Sequence, residues 1–492
     1  MFDLSSLPNI KGKIALICNN EDISYNQLHI LIEETIERLH QEKVNKAKMV
    51  TICMPRSKEC VCMVLALLKI KIPFLLLPID TPKKRKRYMI YDSCSEYVIE
   101  YVNSQYAFTP VENLNKFLYN DTALVMYTSG SSGNPKGAVI SRKTYQYFLE
   151  VANEALKYEE KVNIHLASAP FSFDSYLLEL LLPLFIGKTV VLSNDNESKN
   201  PRLLGKLILR HAVDSILITP TKITWLIESN RKYDLFSNIN TLILGGEHVR
   251  KPLIDKLRTV YKQRLINIYG PAETTVFVTY KYITNSNDIS IGQKLPGGEV
   301  LILNDKLEEM PEGEIGEICI SGPSLADGYI NNDELTKSSF TESLGKVIYK
   351  TGDLGKFLNN ELQILGRKDR QIKINGCRIE LDELENLILS INNIANCAVC
   401  YRKSSNEIYV YYESMVTIKK EEWNIEMKEY ISEYVMPNDF IRVDKIKQNN
   451  SGKVDHFFYD KITNYDRENV TIQELLNENE VTSTYNMSSY KI

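Results

Sequence analysis

The segment Leu124–Ser141, LVMYTSGSSGNPKGAVIS, concentrates the residue types that phosphate chemistry uses. Between Thr128 and Gly137 stand the hydroxyls of Thr128, Ser129, Ser131 and Ser132, the glycines Gly130, Gly133 and Gly137, and Lys136; only Asn134 and Pro135 fall outside those types. Hydroxyls and unobstructed backbone N–H groups donate to phosphate oxygens, and a lysine adds the opposing charge. A P-loop would place Ser or Thr after its lysine. Here Gly137 follows Lys136, so this is a phosphate loop of another kind. A flexible surface loop is the alternative, and such loops are rarely so restricted in composition.

Other spacings exclude other chemistries. No G-x-G occurs, which removes the usual dinucleotide fingerprint. The six histidines form no H-E-x-x-H and no close pair. Cys397 and Cys400 have redox or metal spacing, but NCAVCYR reads as a strand, where residues i and i+3 face opposite sides. They are expected to be structural thiols. The run Lys83–Arg87, KKRKR, reads as the solvated first turns of a helix rather than a nucleic-acid patch.

The elements that must carry these residues are those of an ordinary globular chain. Its 492 residues correspond to about three domains. Lys plus Arg number 59 and Asp plus Glu 63, a net charge of −4, with 43% hydrophobic and 25% charged residues. Those values exclude a disordered, collagen-like or membrane chain and leave no electrostatic footprint for nucleic acid. Nine scattered cysteines argue against a disulfide scaffold and for a cytoplasmic location. MFDLSSLPNI has no signal-peptide character, and the apolar stretch Met63–Ile79 is broken by Lys69, Lys71, Pro73 and Pro78. Ser24 and Gln27 form a capping-box spacing before a helical run from Leu28 to Leu39. Short apolar strands then alternate with helices through Val190–Leu192, Ser215–Thr219 and Thr241–Leu244, the pattern of a parallel α/β core. From about Ile291 to 366, short strands between Gly and Pro predict a small β-rich subdomain. A boundary at Lys368–Asp369 precedes a small α+β unit (369–465) and a loose tail (466–492) carrying one short helix, Thr471–Leu476.

Taken in order, the motifs resemble those of the adenylate-forming superfamily: non-ribosomal peptide synthetase adenylation domains, D-alanine–carrier protein ligases, acyl-CoA synthetases and luciferases. Beside the loop, ISYNQL, LLPID (76–80), INIYGPAETT (266–275), GEICISGPSLADGYINNDELT, YKTGDL (349–354), GRKDRQIKINGCRIELDELE (366–385) and NSGKVD (450–455) carry the resemblance over nearly the whole chain. The fold it implies is a large N-terminal domain (1–368) of two α/β subdomains and a small β-barrel-like subdomain, followed by a small mobile α+β domain.

The resemblance also implies roles. The substrates are ATP, with Mg²⁺, and a carboxylic acid. The loop Thr128–Lys136 would hold phosphates; Asn267, Tyr269, Gly270, Pro271 and Ala272 form the Y-G-P turn, with Tyr269 stacking on adenine. Gly245 would let the backbone approach adenine, and Glu273 would hold the metal. Asp353 would accept the ribose hydroxyls, with Arg367 beside the ribose and phosphates. Lys453 would stabilise charge as the substrate carboxylate attacks the α-phosphate. Asp369 matches the hinge about which the C-terminal unit would rotate between adenylating and thiol-acylating poses, bringing Gly376 into the site.

Asp174 matches the aspartate that pairs with the α-ammonium in amino-acid-activating members. An unpaired buried carboxylate would be costly in a fatty-acid enzyme. The carried-over pocket positions are Ser175, Leu178, Leu242, Leu244, Ile268, Val276 and Phe277, which imply an apolar side chain. The chain departs from the pattern at Tyr176, where the motif has Ser, and at Ala272, Asn375 and His456. The acceptor is expected to be the phosphopantetheine thiol of a separate carrier protein. The alternatives are D-alanine loading for teichoic acid, an acyl-CoA ligase, and a silent ATP-binding homologue, against which Lys453, Glu273 and the intact loop argue.

Overall fold

Helix starts follow capping chemistry. The Gln27 N–H donates to Ser24 Oγ at 3.3 Å and the Ser24 N–H to Gln27 Oε1 at 2.8 Å, the reciprocal box that opens Tyr25–Gln41. Asn200 and Thr219 cap Pro201–Arg210 and Pro220–Ser229, each with Pro at the first helical position. The basic run forms the first half of Lys83–Asp92.

The computed structural model describes residues 3–112, 120–128, 134–230, 234–285, 290–359, 361–368, 370–374, 377–391, 393–431, 435–448 and 454–464. Among the described residues two compact units form, one of 3–128 with 135–368 and one within 370–464.

The first unit holds three sheets. In the largest, the neighbours run Gln293–Lys294, Thr279–Tyr282, Arg264–Tyr269, Thr241–Leu244, Ser215–Ile218, Ile164–Ala167, Thr189–Leu192, Ile14–Cys18 and Glu21–Ser24. The six strands from Arg264–Tyr269 to Ile14–Cys18 are parallel, and the outer strands are antiparallel. A seven-stranded sheet runs Gly328–Tyr329, Lys136–Ser141, Thr122–Thr128, Phe74–Leu76, Val50–Cys53, Tyr97–Val102 and Gln105–Pro110. Its central strands are parallel and buried on both faces, which is why they read as continuous apolar runs.

The β-rich segment forms a five-stranded antiparallel sheet. Its long strand, Lys346–Leu358, pairs with Gly316–Ser321, Phe340–Ser343 and Glu361–Arg367, with register shifts on two of those ladders. Gly328–Tyr329 leaves this stretch and pairs with Lys136–Ser141 in the seven-stranded sheet. That crossing brings Tyr329 to the edge of the phosphate loop.

The second unit contains the hairpin Gln371–Ile374 with Cys377–Glu380 and a three-stranded sheet of Asn396–Arg402, Glu407–Glu413 and Asp439–Val443. Cys397 and Cys400 are both buried, in two different apolar clusters, as opposite faces of one strand require. No helix among the described residues is long and apolar enough to cross a membrane.

Candidate active site

One turn organises the site. The strand Arg264–Tyr269 ends in Gly270-Pro271, a short 3₁₀ turn Ala272–Thr274, and then Thr275 and Val276 at φ +59° and +66°. β-branched residues avoid this region, so the surroundings must hold it. The Phe277 N–H donates to Thr275 O at 2.9 Å, a γ-turn of the rare positive-φ kind. Thr275 Oγ1 donates to Ser324 O, and Thr274 Oγ1 to Pro271 O, each at 2.9 Å. A Cβ on Gly270 would lie 2.5 Å from Phe277 Cα, so the turn closes only on glycine.

The turn drives Glu273 inward until it is 0% exposed. The Tyr329 hydroxyl donates to Glu273 Oε1 at 2.8 Å, and Lys136 Nζ stands 3.6 Å from the same oxygen. Lys136 also lies 5.0 Å from the Tyr329 ring centroid. Tyr329 and Ala138 are cross-strand partners, which places the tyrosine beside the lysine's own strand. Thr128 pairs in register with Lys136, and its Oγ1 is buried without a hydrogen-bond partner among the described residues. Ser129, Gly130, Ser131, Ser132 and Gly133 lie outside the described residues, as do Asp369, Asn375, Gly376 and Lys453.

At the other end of the turn, Tyr269 donates its hydroxyl to Asp353 Oδ2 at 2.5 Å, while Arg367 Nη1 donates to Asp353 Oδ1 at 2.7 Å. Asp353 and Arg367 are partners across Lys346–Leu358 and Glu361–Arg367, so the register sets their contact. Burial and the Asp353 charge push the Tyr269 hydroxyl well above its ordinary pKa, so it stays a donor. Its ring packs with Val278, Ile291, Ile302, Ile318, Ile320 and Leu362 and is 8% exposed. The residue assigned to adenine from the sequence thus also anchors Asp353 through its hydroxyl. Asn267 is also buried, donating to Ser290 O at 2.9 Å. A Cβ on Gly245 would meet Ile268 at 2.7 Å.

Asp174 is the first residue of helix Asp174–Phe185, part-buried, and its Oδ1 accepts from the Ser175 N–H at 2.7 Å. Tyr145 of helix Arg142–Leu156 is buried nearby; its hydroxyl has no hydrogen-bond partner among the described residues. Burial first, then the Asp174 charge, raise its pKa well above normal. Leu178, Ile268, Val276 and Phe277 share one apolar cluster, in which Phe148 packs edge-on against Phe277. Leu242 and Leu244 do not join them. Two apart on one strand, both share a face, but the register pairs them with Leu265 and Asn267, whereas Ile268 points to the opposite side. Tyr176 points into the core against Phe171 and Arg56.

Tyr329 and Tyr145 were missed from sequence. Tyr329 stands inside the motif ending DGYINNDELT, but nothing local marks it as a partner of Glu273.

The two α/β sheets, the small antiparallel sheet and this turn define an adenylate-forming fold. Structures of similar shape include the adenylation domain AlmE from Vibrio cholerae in complex with glycyl-adenosine-5′-phosphate, with TM-score 0.79, 18% identity, and 90% and 94% of the two chains covered. Another is o-succinylbenzoate CoA synthetase from Bacillus subtilis, with TM-score 0.79, 23% identity, and 90% and 95% covered. The family model described as AMP-binding enzyme matches residues 8–330, and the chain belongs to that family of ligases. Among curated relatives, zwittermicin A synthase ZmaJ of Bacillus cereus is 28% identical over 90% of this chain and 91% of its own length. Bacitracin synthase 1 of Bacillus licheniformis is 29% identical over 90% of this chain; the chain spans only 9% of that relative.

Proposed function

We propose that this protein activates an amino acid as its aminoacyl-adenylate and transfers it to the phosphopantetheine thiol of a carrier protein. The observation that carries the reading is the turn Tyr269–Phe277, which joins the Asp353–Arg367 pair, the buried Glu273–Lys136 pair and the apolar cluster beside Asp174. Similarity to peptide synthases and to an adenylation domain holding glycyl-adenosine phosphate supports it.

The substrate carboxylate oxygen attacks the α-phosphorus; the new O–P bond forms as the bond to pyrophosphate breaks. Charge develops on both flanking oxygens, and preorganised cations stabilise it. Lys136 is one such cation, and Lys453 is assigned the same work by resemblance. In the second step the thiol sulfur bonds the acyl carbon and AMP leaves, after rotation about Asp369.

The donor set fits magnesium. Among the described residues no three His, Cys, Asp or Glu converge, and Glu273 presents one buried carboxylate beside Lys136, whose cross-strand partner Thr128 has an unpartnered hydroxyl. Mg²⁺ is held by one or two carboxylates together with substrate phosphates rather than by an all-protein cage. Glu273 would hold it, and it would neutralise phosphate charge.

Asp174 receives the α-ammonium, and Leu178, Ile268, Val276 and Phe277 favour an apolar side chain. Asp174→Ala is expected to lose amino-acid affinity by up to about 3 kcal/mol, below the ~3–5 kcal/mol of a fully buried pair because Asp174 is part-buried. The ATP KM should hold. Equal activation of the cognate amino acid by the variant overturns the assignment.

A further inference from the structure

Three charged side chains from three separate elements converge on the backbone just before Asp174. Arg56, in the loop after Val50–Cys53, donates Nε to Ser193 O at 2.7 Å, Nη2 to Ala167 O at 2.7 Å and Nη1 to Ala169 O. Glu179, on helix Asp174–Phe185, accepts the Ser168 N–H at 2.7 Å and the Ala169 N–H at 2.8 Å on one oxygen. Lys222, on helix Pro220–Ser229, donates to Ser168 O at 3.0 Å and Ser168 Oγ at 3.3 Å. Five backbone groups of Ala167, Ser168 and Ala169 are thus held by ionic side chains. Arg56 and Glu179 are buried, and Lys222 is part-buried.

Neutral turn residues could satisfy the same backbone groups without desolvating charge, which is costly. What ions add is stiffness, since charge-assisted hydrogen bonds are shorter and about twice as strong as neutral ones. The segment they fix leads within a few residues to Asp174, and the rings of Phe171 and Tyr176 on either side pack in a tilted pair, centroids 4.2 Å apart, beneath the Arg56 guanidinium.

We infer that Arg56, Glu179 and Lys222 form an ionic cradle that positions Asp174 for the substrate ammonium. They are positioning residues, not catalytic ones, and the inference rests on the amino-acid reading above. Burial raises the Glu179 carboxyl above its usual range and lowers Lys222 below its own, each opposed by the other's charge. The remaining charged or titratable groups around Arg56 are Tyr176, Asp195 and Cys60. Ionisation of Glu179 strengthens the two N–H bonds, so amino-acid binding tightens as pH rises through that titration.

The test compares wild type, Glu179→Gln and Lys222→Met in ATP–pyrophosphate exchange, measuring amino-acid and ATP KM against pH, with thermal melting as the control on folding. Both variants should raise the amino-acid KM roughly tenfold or more, as slight misplacement of a binding group does, with ATP KM within about twofold. Wild type should show an acid limb in amino-acid KM above the ordinary carboxylate range, and Glu179→Gln should lack it. If Glu179→Gln does not fold, the Lys222→Met split decides. Equal change in both KM values, no change in either, or a persisting acid limb in Glu179→Gln overturns the cradle while leaving the amino-acid reading intact. Exchange by wild type with carboxylic acids lacking an ammonium, and with no amino acid, overturns that reading and the inference with it.

Discussion

An ionised carboxylate offers about four acceptor positions. In Asp353, Arg367 takes one on Oδ1 and Tyr269 one on Oδ2, leaving one on each oxygen for a vicinal diol. A hydroxyl donating to a charged acceptor contributes about 1.5–3 kcal/mol. Removing either ribose hydroxyl should therefore lower kcat/KM roughly 10- to 150-fold, at about 1.4 kcal/mol per tenfold. In Asp353→Asn the acceptor is neutral and the hydrogen bond falls to about 0.5–1.5 kcal/mol, so the same deletion should matter only some 2- to 12-fold. The stability loss from unpairing Arg367 should stay below the ~3–5 kcal/mol of a fully buried pair, because the two side chains keep 16% and 12% exposure. The assay is pyrophosphate exchange with ATP, 2′-deoxy-ATP and 3′-deoxy-ATP, with urea unfolding run in parallel. Undiminished discrimination in folded Asp353→Asn, or none in wild type, refutes the ribose assignment.

Tyr329→Phe keeps the ring under Lys136 but deletes the donor to a fully buried carboxylate; it should lower the free energy of unfolding by about 1.5–3 kcal/mol and raise the MgATP KM. Unchanged urea stability would contradict the contact. Lys453→Ala should abolish adenylate formation yet still load a carrier from pre-formed aminoacyl-adenylate. Asp369→Pro should do the reverse, since proline fixes φ and restricts its predecessor. Equal loss of both steps in both folded variants, read by pyrophosphate release and carrier mass, rules out alternating poses.

What was legible from sequence was contiguous. The Gly270–Phe277 turn, Asp353 with its flanking glycines and the capping box at Ser24 each concentrate their chemistry in a few residues. Cys397 and Cys400 were readable because strand period alone separates them. The missed contacts cross between elements. Tyr329 reaches Glu273 only because Gly328–Tyr329 leaves its neighbours for another sheet. Leu242 and Leu244 share a face by periodicity, but which face depends on the register with Arg264–Tyr269, and parallel register leaves no local signature. Likewise, the Glu179 and Lys222 partners are backbone atoms of Ser168, which no side-chain pattern announces.

The account stands most directly on amino-acid-dependent exchange of labelled pyrophosphate into ATP by the wild-type protein, across a panel of amino acids and matched carboxylic acids without an ammonium. The account predicts exchange with one or a few apolar amino acids and none with their desamino counterparts. Exchange supported only by fatty or aryl acids would contradict it.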